Sequence, residues 1–236
     1  MAKMVGLSRN IKLSWLNKVV EFVSEGLSEQ EIKDGLNEYL SFEIKSPTNL
    51  RKTREILMNI WVYENEYSGK LRPEALRLIQ KDSENQLSAH WVMMLATYPV
   101  FRDLCKLISK MSEFQDEVTL MQIKQKLFDE WGERTTLFHS IDKLISTLKA
   151  LEVLVCDKPG KYRINKHKLI KEDIITYVTY AMMVIDDGGY YSLQQLQDVG
   201  ILFPFSYEIK KEWILGDNRF TLVNFGGKAS FALKEQ

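Results

Sequence analysis

Cysteine is scarce in this 236-residue chain, with Cys105 and Cys156 its only two. Neither has CxxC spacing or paired histidines nearby, which speaks against a disulfide framework or a zinc module and fits a reducing cytoplasm. An excess of charge is lacking too, since 32 basic residues face 32 acidic ones. Attraction to nucleic acid must then come from local segregation of cations. Long apolar runs are missing: Trp91–Phe101 is broken by Thr97 and Pro99, and a membrane span needs about 20 mostly apolar residues. The N-terminal MAKMVGLSRNIKLSWL has neither the apolar stretch nor the small-residue cleavage site of a secretory leader. No membrane insertion is expected.

Signatures of catalysis are equally thin. His90, His139 and His167 stand far apart without a metal-ligand or triad partner at a recognised spacing, and His90 beside Trp91 reads as a packed helix residue. Gly188-Gly189 and Gly226-Gly227 lack the context of a phosphate loop. The acidic-x-Lys tripeptide of metal-dependent nucleases is met by Glu208-Ile209-Lys210 after Asp198. Glu31-Ile32-Lys33 and Glu43-Ile44-Lys45 show it too, so it carries little information. Neither enzymatic activity nor a cofactor or metal is expected.

Present instead are strong helix signals. With 45% hydrophobic and 27% charged residues, most of the chain should fold. Leu13, Leu16, Val19, Val20 and Val23 recur at helical spacing, with Gly26 as C-cap, predicting a helix over 12–25. Ser28-Glu29-Gln30-Glu31 is a capping box opening the next helix, and Ser46-Pro47-Thr48-Asn49 starts a third. Pro73-Glu74-Ala75-Leu76 predicts a short helix ending near Gln80, followed by helices over 83–98 and 100–111.

After the acidic loop Glu113–Glu117 the pattern changes. Thr119 caps an expected helix Leu120–Trp131 that Gly132 closes. A second helix, Thr136–Leu151, should bury Leu137, Phe138, Ile141, Leu144, Ile145, Leu148 and Leu151. Val153–Cys156 and Tyr162–Ile164 flank the turn sequence Asp157-Lys158-Pro159-Gly160, a hairpin signal. Further on come expected helices over 174–185, 192–199 and 206–215, and a hairpin of 220–225 with 229–233 around Gly226-Gly227-Lys228. Helix, helix, helix, hairpin thus occurs twice.

The first occurrence has the order of a winged helix-turn-helix, whose second helix can enter the major groove. Thr135, Thr136, His139, Ser140, Lys143 and Thr147 fall away from the expected buried stripe and could read bases; Asp142 among them would repel phosphate. The same residues fit a plain solvated helix face. The hairpin and its sequel carry Lys158, Lys161, Arg163, Lys166, His167 and Lys168, with no acid from Lys158 to Lys171. Such cations on a projecting wing would neutralise phosphates, a reading we favour over lysines placed only to discourage edge pairing. Lys45, Arg51, Lys52 and Arg54 form another basic patch, read as a solvated helix turn. Tyr177, Tyr180, Tyr190, Tyr191, Phe203, Phe205, Tyr207 and Trp213 are read as core rather than as a stacking platform for single strands.

Leu27–Ile32 opening a helix, Ser46-Pro47-Thr48 before Arg51–Leu57, Pro73–Ile79, Phe101-Arg102-Asp103-Leu104 and the helix-plus-wing Leu137–Leu169 together resemble, in type and order, the BrxA family of bacterial BREX phage-defence systems. The resemblance spans about residues 25–170 and rests on no short motif. It implies a small helical, DNA-binding accessory factor working with other defence-system proteins. The resulting expectation is a mainly α protein: a helical bundle (1–112), a winged helix-turn-helix (113–170) and a second, degenerate winged-helix-like unit (171–236). Its expected partner is double-stranded DNA. Two other readings are a protein-interaction scaffold and an RNA-binding helical factor.

Overall fold

A computed structural model describes residues 6–186, 188–197, 199–225 and 228–234. That part is mainly helical with small sheets. Six helices come first: α1 (Leu13–Ser24), α2 (Glu29–Ser41), α3 (Pro47–Trp61), α4 (Ser68–Lys81), α5 (Gln86–Thr97) and α6 (Pro99–Ser112). Then follow β1 (Glu117–Thr119), α7 (Leu120–Trp131), α8 (Thr135–Ala150), β2 (Leu154–Lys158), β3 (Lys161–Ile164) and β4 (His167–Lys168). The last third holds α9 (Glu172–Asp186), α10 (Leu193–Gln197), β5 (Phe205–Ser206), α11 (Lys211–Gly216), β6 (Phe220–Phe225) and β7 (Lys228–Leu233).

Local chemistry sets most helix starts. The Ser28 hydroxyl accepts from the Glu31 amide while the Glu31 carboxylate accepts from the Ser28 amide at 2.8 Å, satisfying two otherwise orphaned donors. These bonds also hold the Glu31 carboxyl below its usual range. Pro47 and Pro99 occupy first helical turns, where a missing N–H costs nothing. Two expected starts are corrected. α4 begins at Ser68, with Pro73 inside it, because Asn65 accepts from the amides of Tyr67 and Ser68 and caps the chain upstream of the proline. Ser206 caps no helix; it lies in β5, and α11 starts only at Lys211.

Two helices are apolar nearly all round and lie inside. α5 buries every residue from Ser88 to Ala96, with Trp91 edge-on to Phe101 at 4.9 Å. α9 packs on α4, α5 and β7, and the Tyr177 hydroxyl donates to the Leu71 carbonyl at 3.2 Å. α6, counted with the bundle in the sequence, packs against α7 and β1 as well as α5. One buried hydrophobic cluster therefore runs from Leu7 to Phe231, across both expected boundaries.

β1, β3 and β2 form an antiparallel sheet in that order, with buried Val118 opposite buried Tyr162. β1 sits inside what read as a loop, too short for periodicity to reveal. The same geometry recurs downstream, where Tyr191 makes an isolated antiparallel bridge to Phe231 of β7, which pairs with β6. Each short strand position runs into a capped helix. Thr119 and Gln122 exchange capping bonds before α7, and Ser192 and Gln195 do so before α10. β4 and β5 pair in parallel. Of the turn signals Asp187-Gly188-Gly189 and Gly226-Gly227-Lys228, Asp187, Gly226 and Gly227 lie outside the described residues.

Candidate nucleic-acid interface

α7 ends at Gly132, whose φ of 77° lies in the left-handed region that glycine adopts without strain. Three residues later, at Thr135, α8 starts, held by Leu137, Ile141, Leu144, Ile145 and Leu148 in the core. Thr135, Thr136, His139 and Lys143 are exposed along one side of α8. Two residues assigned to that side are not on it. Ser140 and Thr147 are buried, and Thr147 Oγ1 accepts the Ile11 amide at 3.0 Å while donating to the Lys143 carbonyl at 2.9 Å. Small hydroxyls can enter a helix–core contact by bonding a backbone group, which a count of apolar spacing misses. Asp142 is paired with Lys124 at 2.7 Å, which removes much of its repulsion for an anion.

Phe138 departs from expectation in the opposite sense. It is 43% exposed, stacked on Phe128 at 6.3 Å, with the Lys124 ammonium 3.6 Å from its ring centroid. Lys124 therefore bridges Phe138 and Asp142 across α7 and α8.

The β2–β3 hairpin does not project freely. The Leu120 amide donates to the Gly160 carbonyl at 2.9 Å, tying the turn to the start of α7. Its cations are unequally available. Arg163 forks onto Asp157, with one contact at 2.9 Å, and this pairing lowers the Asp157 carboxyl and raises the guanidinium. Lys161 lies 3.7 Å from Glu117 of the neighbouring strand. Lys158 is exposed with no ion pair among the described residues. Lys166 and Lys168, exposed as well, lie beyond the hairpin, and Lys168 pairs through its backbone with Ser206. His167 turns its ring toward Phe205 at 6.2 Å. Lys171 is drawn to Asp82 and Glu84 and fastens α9 to the α4–α5 junction.

The other candidates resolve into structural roles. Arg54 bonds Glu55 and Asn37, and Lys45 bonds the Ser41 carbonyl at 3.1 Å, leaving Arg51 and Lys52 exposed. His90 is fully buried, hydrogen-bonded to Asn17 at 2.8 Å, and burial pushes its pKa down to about 3. Tyr177, Tyr180, Tyr191, Phe203 and Tyr207 are core residues. Glu31 is spent on its capping box and Glu43 on Lys12 and Trp15. Asp198, part of the third acidic-x-Lys pattern, lies outside the described residues. No group of three or more metal-ligating side chains occurs among the described residues, and no described helix is long and apolar enough to cross a membrane.

No family model, no curated protein and no solved structure matches the chain.

Proposed function

We propose that residues 99–164 are a winged helix-turn-helix and that the protein binds duplex DNA as a non-catalytic accessory factor. The single observation that carries this is the order α6, β1, α7, α8, β2, β3 with β1 paired to β3, which leaves the outer face of α8 uncovered. Thr135, Thr136 and His139 offer hydrogen-bonding groups to base edges. Lys143, Lys158, Lys161, Lys166 and Lys168 contact phosphates, and Arg163 contributes less because Asp157 holds it. The Tyr191–Phe231 bridge supports reading 172–233 as a second, degenerate unit of the same kind. Action in a phage-defence system, beside other defence proteins, is the part of the proposal that rests on the BrxA resemblance alone.

A mobility-shift series over rising salt tests the DNA reading. Five engaged phosphates give a slope of log K against log salt of about −4.5. No shift of duplex at low salt, or tighter binding to RNA of the same sequence, overturns it.

A further inference from the structure

Two shallow hollows flank α7 and meet at Met121 and Gln125. One, about 720 Å³, lies between α7, Phe138 and the Pro159-Gly160 turn; the other, about 470 Å³, lies between α7, Met111 and Phe114. Phe114 is 82% exposed and Met121 81%. Isolated exposed apolar side chains are ordinary, but here several share one continuous surface. The ionisable residues on it are all lysines, Lys124, Lys126 and Lys161, and no carboxylate lines either hollow. Lys126 makes no ion pair among the described residues.

We propose that this α7 face docks an acidic amphipathic helix of a partner protein. The partner's apolar residues, spaced i, i+3, i+4, i+7, cover Phe114, Met121 and Phe138, and its flanking carboxylates meet Lys126. A nucleic-acid backbone gains nothing from phenylalanine and methionine side chains, which favours a protein occupant. The proposal does not depend on α8 contacting DNA.

The test uses the full chain and two labelled helical peptides of about 14 residues, or four turns. Both carry Leu and Phe at the i, i+3, i+4, i+7 positions; one has Glu at the rest, the other Lys. Fluorescence anisotropy should show binding of the acidic peptide alone. Met121→Lys should weaken it about tenfold although it adds a cation, because the apolar anchor is lost. Lys126→Glu should weaken it as well. Both positions are exposed, and circular dichroism checks that the variants fold. Equal binding of the two peptides, tighter binding to Met121→Lys, or no binding of the acidic peptide at millimolar concentration overturns the proposal. So does a Phe114→Ser variant that loses duplex DNA yet holds the peptide unchanged. Failure of the unmodified chain to bind DNA, with peptide binding intact, counts against the DNA reading alone.

Discussion

Tyr191 and Phe231 exchange both backbone hydrogen bonds, at 2.9 and 2.7 Å, although neither the chain before Tyr191 nor the chain after it forms a strand. The Tyr191 hydroxyl also donates to Asp186 at 3.0 Å and accepts the Gly188 amide at 2.8 Å, so one side chain bonds both the last residue of α9 and Gly188. Val118 opposite Tyr162 is the corresponding pair upstream. In both places a short extended stretch, three residues in β1 and one at Tyr191, is followed at once by a hydroxyl-capped helix and lays the chain against the last strand of a hairpin. That recurrence concerns backbone arrangement; the helices differ, α8 having sixteen residues and α11 six.

Thr147 joins the N-terminal segment to α8. Replacing it with Val keeps the shape but leaves the buried Ile11 amide without an acceptor, at a cost of about 1–3 kcal/mol. We expect a lower urea midpoint with an unchanged m-value for Thr147→Val, and near-native stability for Thr147→Ser. Equal midpoints for the Val variant and the original chain would refute this role.

His90 makes stability depend on pH in a defined direction. Its folded pKa, about 3, lies below the ordinary value of 6.5 because burial disfavours the cation. The unfolded chain therefore binds the extra proton first, and the contribution present above pH 6.5 is lost as pH falls toward the folded value. Between pH 7 and pH 5 the loss is on the order of 2 kcal/mol. Urea titrations should show it, and His90→Met should flatten the dependence over that interval. An identical pH slope in the variant would contradict the assignment.

What the sequence disclosed follows from how local each signal is. Ser28 with Glu31 and Thr119 with Gln122 lie within one turn of each other, so both helix starts could be read directly. Asn65 was missed because its capping role precedes α4 by a loop, and Pro73 looked like the stronger marker. Strands of two or three residues, such as β1 and β4, carry no usable alternation. At the candidate site, the exposure of Thr135, Thr136, His139 and Lys143 was legible from helical spacing. The pairing of Lys161 with Glu117 and of Lys171 with Asp82 was not, since it depends on elements brought together only by folding. Phe138 was expected inside because periodicity marks apolar residues without showing which of them has a neighbour to cover it.

Glu152 holds a φ of 59°, in the left-handed region that costs a non-glycine residue roughly 1–3 kcal/mol. It does so as the stop of α8, where the Val153 amide reaches back to the Leu148 carbonyl at 2.8 Å. The side chain is exposed, so little packing is lost on removing it. Glu152→Gly should raise stability by about 1 kcal/mol once the added freedom of the unfolded chain is subtracted. Thermal and urea unfolding would show this, and a destabilised variant would mean that the Glu152 side chain contributes more than its backbone strain costs.

The Arg163–Asp157 fork limits how available the guanidinium of the β2–β3 hairpin is. With Asp157 present, the guanidinium already has a carboxylate, and a phosphate must compete for it. Asp157→Asn removes that competitor and one repulsive charge together. If the hairpin tracks phosphate, the variant should bind duplex DNA severalfold more tightly at low salt, and its salt slope should steepen by about one counterion. Lys158→Glu should act the other way, across all sequences alike. Arg163→Gln should change affinity less than Lys158→Gln, because the arginine is the engaged cation and the lysine the available one. Were Arg163→Gln the more damaging of the two, the fork would have to open on binding; were neither to matter, DNA would contact the protein elsewhere.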